Sequence, residues 1–199
     1  MNYLAHLSLS HCNSEVMLGN FIGDFVKGSN YSRYSPRVQT GILLHRKIDV
    51  FTDNHELVKA SAVLFRESYG KYAGVIVDMI FDHFLASNWD KYYPEITLGK
   101  FVSRVHRILL LNYLRVPDGV KKMLPFLIKS RRLENYANMA GLARALNIMA
   151  RNTSLPCNTK DAMACLDKNY ELFYRYFSEF YPQIQSMVDE ELEGVYADL

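Results

Sequence analysis

Cysteine is scarce in this chain, with only Cys12, Cys157 and Cys165 and no Cys-x-x-Cys spacing. That argues against a disulfide scaffold and predicts free thiols in a reducing compartment. Glycine and proline are also few, 10 and 6 in 199 residues, which excludes collagen-like repeats and leaves little for long structureless linkers. No apolar run approaches the roughly 20 residues of a membrane span. The opening Met1-Asn-Tyr-Leu-Ala-His6 has no positive n-region, so no signal peptide and no membrane insertion are expected, and the chain reads as cytoplasmic. Net charge is nearly absent as well. Lysine plus arginine number 23 against 21 acidic residues, so the chain as a whole is no basic nucleic-acid sleeve.

What is present is a globular composition, 49% hydrophobic and 22% charged, of a length that suits one compact domain over residues 1–199. Helical periodicity dominates and no convincing strand alternation occurs, so the fold class is all-α. Ser14 reads as the cap of a helix over about 15–26. Ser35-Pro36 opens another, to about Val50. Asp53 and Glu56 have the spacing of a capping box for a third, to about Glu67. The segment 71–89 is apolar on nearly every face, as expected of a central helix. Further helices are expected over about 98–114, 119–129, 133–151 and 159–181, with Pro125 and Pro182 each starting, stopping or kinking one. The aromatic residues between Tyr170 and Tyr181 read as a packed face.

Three constellations carry possible chemistry. His45 and Asp49 lie four residues apart, on one helical face with Cβ atoms about 5–6 Å apart. Imidazole with carboxylate is a ligand set suited to Zn, Fe or Mn, though a solvated surface pair has the same spacing. Asp53 follows by another four residues, but capping explains it without a metal. Asp78 and Asp82 share a face of the most apolar helix, where an unpaired carboxylate costs several kcal/mol or shifts its pKa. A metal, another cation or an arginine must balance them, and adjacent His83 points about 100° away from Asp82. Gly19 and Gly23 permit close helix approach, with Asn20 and Asp24 beside them. His6 is either a cluster member or a core histidine. No Gly-x-Ser-x-Gly elbow occurs, and neither Cys157 nor Cys165 has a histidine nearby in sequence, so covalent acyl chemistry has no local support.

Charge is segregated. Between Lys100 and Arg132 nine basic residues face the single Asp118, a local charge of +8, while Gln185–Leu199 carries five acidic residues and no basic one.

Four blocks in order, Met1-Asn-Tyr-Leu-Ala-His6-Leu, Gly19-Asn-Phe-Ile-Gly-Asp24-Phe-Val-Lys-Gly28, Gly41 to Asp53 with its His45-Arg-Lys-Ile-Asp49, and Asp78-Met-Ile-Phe-Asp82-His83, resemble the acyl carrier protein phosphodiesterase family. The resemblance covers about the first 90 residues. It implies an HD-type metal phosphohydrolase fold and removal of 4'-phosphopantetheine from a serine of holo-acyl carrier protein, with a divalent cation such as Mn²⁺, or else Fe²⁺ or Mg²⁺. The order Asp82-His83 departs from the His-Asp dyad that names the HD group. By this resemblance Asp24, His45, Asp49 and Asp82 form the ligand set. Asp24 is also catalytic, and Asp78 or His83 handles protons. His6, Arg46 and Asp53 are additional site residues, with Arg46 or Lys47 neutralising phosphate. Arg104, Arg107, Lys121, Lys122, Arg131 and Arg132 would dock the acidic carrier protein. Two other readings stay open: an HD-type hydrolase of a nucleotide or other phosphoester, and a noncatalytic helical module for an acidic partner.

Overall fold

The computed structural model describes residues 1–11 and 13–197, with side chains described through Glu193; Cys12 and Asp198 lie outside the described residues. Among these residues the protein is all-α. The short α1 (Tyr3–Ser8) leads into α2 (Ser14–Ile22), a 3-10 turn Gly23–Phe25 and the long α3 (Pro36–Asn54). Two short helices, α4 (Glu56–Val63) and α5 (Arg66–Tyr69), precede the central α6 (Ala73–Ser87). Then come α7 (Trp89–Tyr92), α8 (Leu98–Leu111), α9 (Asp118–Lys129) and α10 (Arg132–Asn135). The chain closes with α11 (Met139–Asn152), α12 (Thr159–Lys168) and α13 (Tyr170–Ala197).

One hydrophobic cluster runs through this frame, with α6 at its centre: Ile76, Val77, Met79, Phe81, Phe84 and Leu85 are all fully buried. Against it α13 lays Phe173, Phe177, Phe180, Ile184 and Val188, a helical stripe with no exposed surface. The aromatic run is thus core. The hydroxyl of Tyr181 meets Ser8 Oγ at 2.9 Å, tying the last helix to the first.

Helix α2 crosses α3 at a glycine pair. A Cβ on Gly41 would stand 2.1 Å from the Val16 carbonyl oxygen, and one on Gly19 2.1 Å from that of Val38, so only glycine permits this approach. The crossing sets the end of α2 and its following turn beside the C-terminal half of α3.

Several boundaries differ from expectation. Asn13 caps α2, its Oδ1 accepting from the amides of Glu15 (3.0 Å) and Val16 (3.1 Å), so the expected Ser14 cap is displaced by one residue. The Asp53–Glu56 capping box does not form. Asp53 lies inside α3, which continues to Asn54, and His55 takes the cap, its Nδ1 accepting from Leu57 N–H at 3.3 Å. The expected helix 133–151 divides because Asn138 caps a new start, accepting from Gly141 N–H at 2.8 Å. The expected helix 159–181 divides at Asn169, and α13 then runs on well past Tyr181. Pro125 and Pro182 sit inside α9 and α13 and neither begins nor ends a helix. Among the described residues, no helix is long and apolar enough to cross a membrane.

Candidate metal centre

Three elements converge on one cluster. His6 comes from α1, and His45 and Asp49 come from successive turns of α3; one ligand atom from each lies within 4.8 Å of the others. His6 Nε2 is 3.1 Å from Asp49 Oδ1, and His45 Nε2 is 3.2 Å from Asp49 Oδ2. Asp24, in the turn after α2, closes the edge with Oδ1 3.3 Å from His45 Nε2. The imidazole rings are stacked, with centroids 4.2 Å apart and an interplanar angle of 26°. Both are buried, at 3% and 5% exposure, whereas the Asp24 side chain is 57% exposed, so the cluster has a dry side and an open one.

Local sequence explains the placement. Gly23 lies against the His45 ring, where a Cβ would come within 2.3 Å of Cγ. Asn20, wholly buried, orients His6. Its Nδ2 donates to the His6 carbonyl (2.6 Å) and to Ser10 Oγ (3.1 Å), which leaves Oδ1 to accept from His6 Nδ1 at 2.9 Å. The His6 proton is therefore on Nδ1, and Nε2 turns a lone pair toward Asp49. Burial keeps the His6 pKa below its usual value, with the neighbouring His45 adding to that and Asp49 opposing it.

His45 behaves oppositely. Burial disfavours its charge, but hydrogen bonds with Asp24 and Asp49 outweigh this and push its pKa up to about 9. Asp49 is held well below the carboxylate range by His45 and His6 despite partial burial, and Asp24 is held low by its hydrogen bond with His45. Two imidazole nitrogens and ionised carboxylates, one facing a lone pair and the other sharing a displaceable proton, form a mixed N/O donor set that a divalent cation fits. His45 Nδ1 is buried without a hydrogen-bond partner.

The other expected site residues stand elsewhere. Asp82 does not reach the cluster: it is fully buried, with Oδ2 and Oδ1 accepting from the amides of Leu4 (2.8 Å) and Ala5 (3.2 Å) at the start of α1. Burial pushes its pKa up to about 7, although those two hydrogen bonds oppose the shift. Asp82 thus holds in place the helix that presents His6. Asp78 lies 2.9 Å from the Met1 nitrogen. His83 turns the other way, Nδ1 to the Tyr136 carbonyl (2.7 Å) and Nε2 to the Tyr170 hydroxyl (3.3 Å). Asp53 is largely exposed on the next turn of α3, its pKa raised by partial desolvation and by Asp78. Arg46 clamps the loop after the Asp24 turn, donating to the carbonyls of Val26 (3.0 Å) and Gly28 (2.7 Å), and Lys47 pairs with Glu191.

The basic segment is partly neutralised. Arg131 forms a two-pronged pair with Glu134 at 2.6 and 3.0 Å, and Lys121 pairs with Asp118 at 3.0 Å. Arg107 and Lys122 are exposed, whereas Arg132 is half-buried. A cavity of about 790 Å³ bordered by Glu15, Arg33 and Arg115 contains none of the cluster residues.

Sequence reasoning missed the role of Asn20. Its signal was available: an amide on an otherwise apolar helical face, fourteen residues from His6, calls for a buried partner.

The family described as "Acyl carrier protein phosphodiesterase" matches residues 1–184. Among curated proteins, the acyl carrier protein phosphodiesterases of Yersinia enterocolitica and Photorhabdus laumondii are 32% and 34% identical, each covering 96% of this chain and 99% and 96% of their own lengths. That of Serratia proteamaculans is 33% identical, over 96% of this chain and 100% of its own. No solved structure matches the chain. On this near-full-length similarity, the chain belongs to the acyl carrier protein phosphodiesterase family.

Proposed function

We infer that this protein hydrolyses the phosphodiester linking 4'-phosphopantetheine to a serine of holo-acyl carrier protein, releasing apo-acyl carrier protein. The observation that carries the reading is the donor set of His6, His45 and Asp49 within 4.8 Å, in a chain similar along its length to proteins of that name. The ligands are His6, His45 and Asp49, with Asp24 at the open edge. Mixed imidazole and carboxylate donors suit Zn²⁺, Fe²⁺ or Mn²⁺; the family resemblance puts Mn²⁺ first, with Fe²⁺ or Mg²⁺ as substitutes. The bound cation supplies Lewis acidity toward a phosphoryl oxygen and toward water.

The residues do the rest. Water adds its hydroxyl to phosphorus as the bond to the serine oxygen breaks, and a proton ends on that oxygen. Asp24 is ionised, exposed and at the cluster's edge, which favours it over His83 and Asp78 for orienting the attacking water; those two are committed to Tyr136, Tyr170 and the Met1 nitrogen. Asp82 serves indirectly by fixing α1.

The helical frame, with histidines and carboxylates gathered from different helices, supports a place beside the HD-type phosphohydrolases. The continuous core from Met1 to Leu192 supports one domain. Free Cys157 and Cys165 fit a cytoplasmic protein.

The acidic carrier protein is proposed to dock on the surface of α8 and α9. Arg107 shares a face of α8 with exposed Leu111 (79%), and Lys122 a face of α9 with exposed Phe126 (44%), each pair four residues apart, a mix of basic and apolar groups suited to an acidic amphipathic partner.

Intact-mass spectrometry of holo-acyl carrier protein incubated with the protein and Mn²⁺ tests the reading. Loss of the phosphopantetheine mass, abolished by EDTA and by Asp24→Asn, is expected. An unchanged mass with Mn²⁺, Fe²⁺ or Mg²⁺ and folded protein overturns it and turns attention to nucleotide phosphoesters.

A further inference from the structure

A half-buried cation has no counter-charge. Arg132 begins α10, and its Nε donates to the Tyr136 hydroxyl at 2.9 Å while the guanidinium rests 5.9 Å from that ring's centre. Its Nη2 is buried with no hydrogen-bond partner. Among the described residues no carboxylate pairs with it. Asp82, the carboxylate whose field it feels, spends both oxygens on the amides of Leu4 and Ala5. A guanidinium withdrawn from water without an anion is costly, unlike Arg131 beside it, which is exposed and neutralised by Glu134.

The position of Arg132 is tied to the helix that carries His6. Tyr136 also accepts from Asn2 Nδ2 at 3.2 Å, and Asn2 caps α1. Tyr3 and His6 are three residues apart on α1 and so share a face. The Tyr3 hydroxyl feels both the Asp24 carboxylate and the Arg132 guanidinium. The cluster gathers carboxylates, and an anionic substrate approaching it meets their negative field. Arg132 is a positive group without an anion, and its planar fork suits two oxygens of a tetrahedral anion.

We propose that Arg132 is a phosphoryl-binding subsite of this centre, gripping non-bridging oxygens of the phosphodiester. This separates Arg132 from the basic docking surface and makes it a substrate-binding residue. The assignment of the anion to the scissile phosphate rests on the reaction proposed above.

The test uses the full-length Mn²⁺-loaded protein and inorganic phosphate as probe. Calorimetry should show phosphate binding that weakens about 10- to 100-fold in Arg132→Gln and several-fold in Arg132→Lys, which keeps the charge but loses the fork. Manganese stoichiometry should stay at the wild-type value in both. Holo-acyl carrier protein turnover should show the loss in kcat/KM. Phosphate affinity equal to wild type in the folded variants, or no phosphate binding by the wild type, overturns the subsite. Should Arg132→Gln fail to fold, Arg132→Lys decides alone. Arg132-dependent phosphate binding without release of 4'-phosphopantetheine sinks the proposed reaction and leaves the subsite standing. Full turnover by Arg132→Gln does the reverse.

Discussion

His6 Nε2 and Asp49 Oδ1 face each other at 3.1 Å with the histidine's proton on its far nitrogen, because Asn20 claims that nitrogen through a 2.9 Å hydrogen bond. Two electron-rich atoms so placed repel unless a cation stands between them. Asn20 therefore governs the centre without belonging to it. Asn20→Ala should weaken Mn²⁺ binding about 10- to 100-fold, the usual effect of losing a group that orients a ligand. It should also cost about 1–3 kcal/mol of stability through the buried His6 Nδ1–H left without its acceptor. Metal titration and urea unfolding read the two effects separately, and unchanged metal affinity would remove Asn20 from the centre.

His45 shares its proton with Asp24 and Asp49 and keeps it to about pH 9. A cation binding at neutral pH must displace that proton. Calorimetric titration with Mn²⁺ at pH 7.5, in buffers of different ionisation enthalpy, should report release of about one proton per chain. Affinity should climb as pH rises toward 9 and level off beyond it. A buffer-independent heat would contradict the assignment of His45 as a ligand.

Two glycines make a contrast in kind. Gly41→Ala would put a methyl against the backbone of α2, which can give way only by moving the helix, and should destabilise by about 1–3 kcal/mol or more. Gly23→Ala would press on the His45 ring instead. Its expected signature is a drop in metal affinity larger than its drop in stability, compared by metal titration and urea midpoints.

Asp82 carries a pH signature. Its folded-state pKa of about 7 lies above the value near 3.9 expected of an unfolded aspartate, so between these limits the folded protein holds the extra proton. Its contribution to stability is present below the unfolded value and is lost as pH rises toward 7. In EDTA, the stability difference between wild type and Asp82→Asn should shift in favour of the wild type as pH falls from 8 to 5. The cluster is the same in both proteins and cancels. A constant difference would show that Asp82 is ionised throughout.

Much of the frame was legible because it depends on local rules. The all-round apolar pattern of 73–87 makes α6 central, and Ser35-Pro36 starts α3 where a proline needs no amide partner. His45 and Asp49 meet because four residues are one helical turn. The errors arose where side chains chose between local and distant partners. Asp53 has the spacing of a cap but belongs to the end of α3. Asp82 looks like a ligand from its sequence neighbours, yet its partners lie 77 and 78 residues away. His6 could not be chosen over Asp82 from periodicity alone, since its meeting with His45 and Asp49 of α3 is a tertiary fact. The orphaned guanidinium of Arg132 is likewise invisible in a run of basic residues.

The turn that holds Asp24 has a neighbour whose closeness matters. Phe25 lies over Gly119 so tightly that a methyl there would stand 2.7 Å from the ring. Gly119 opens α9, the helix of Lys121 and Lys122. The carboxylate at the mouth of the cluster and the first turn of that basic helix are thus bolted together through one aromatic ring. A load applied to α9 would reach the residue next to Asp24, so the proposed docking surface and the proposed reaction centre would be coupled through Phe25.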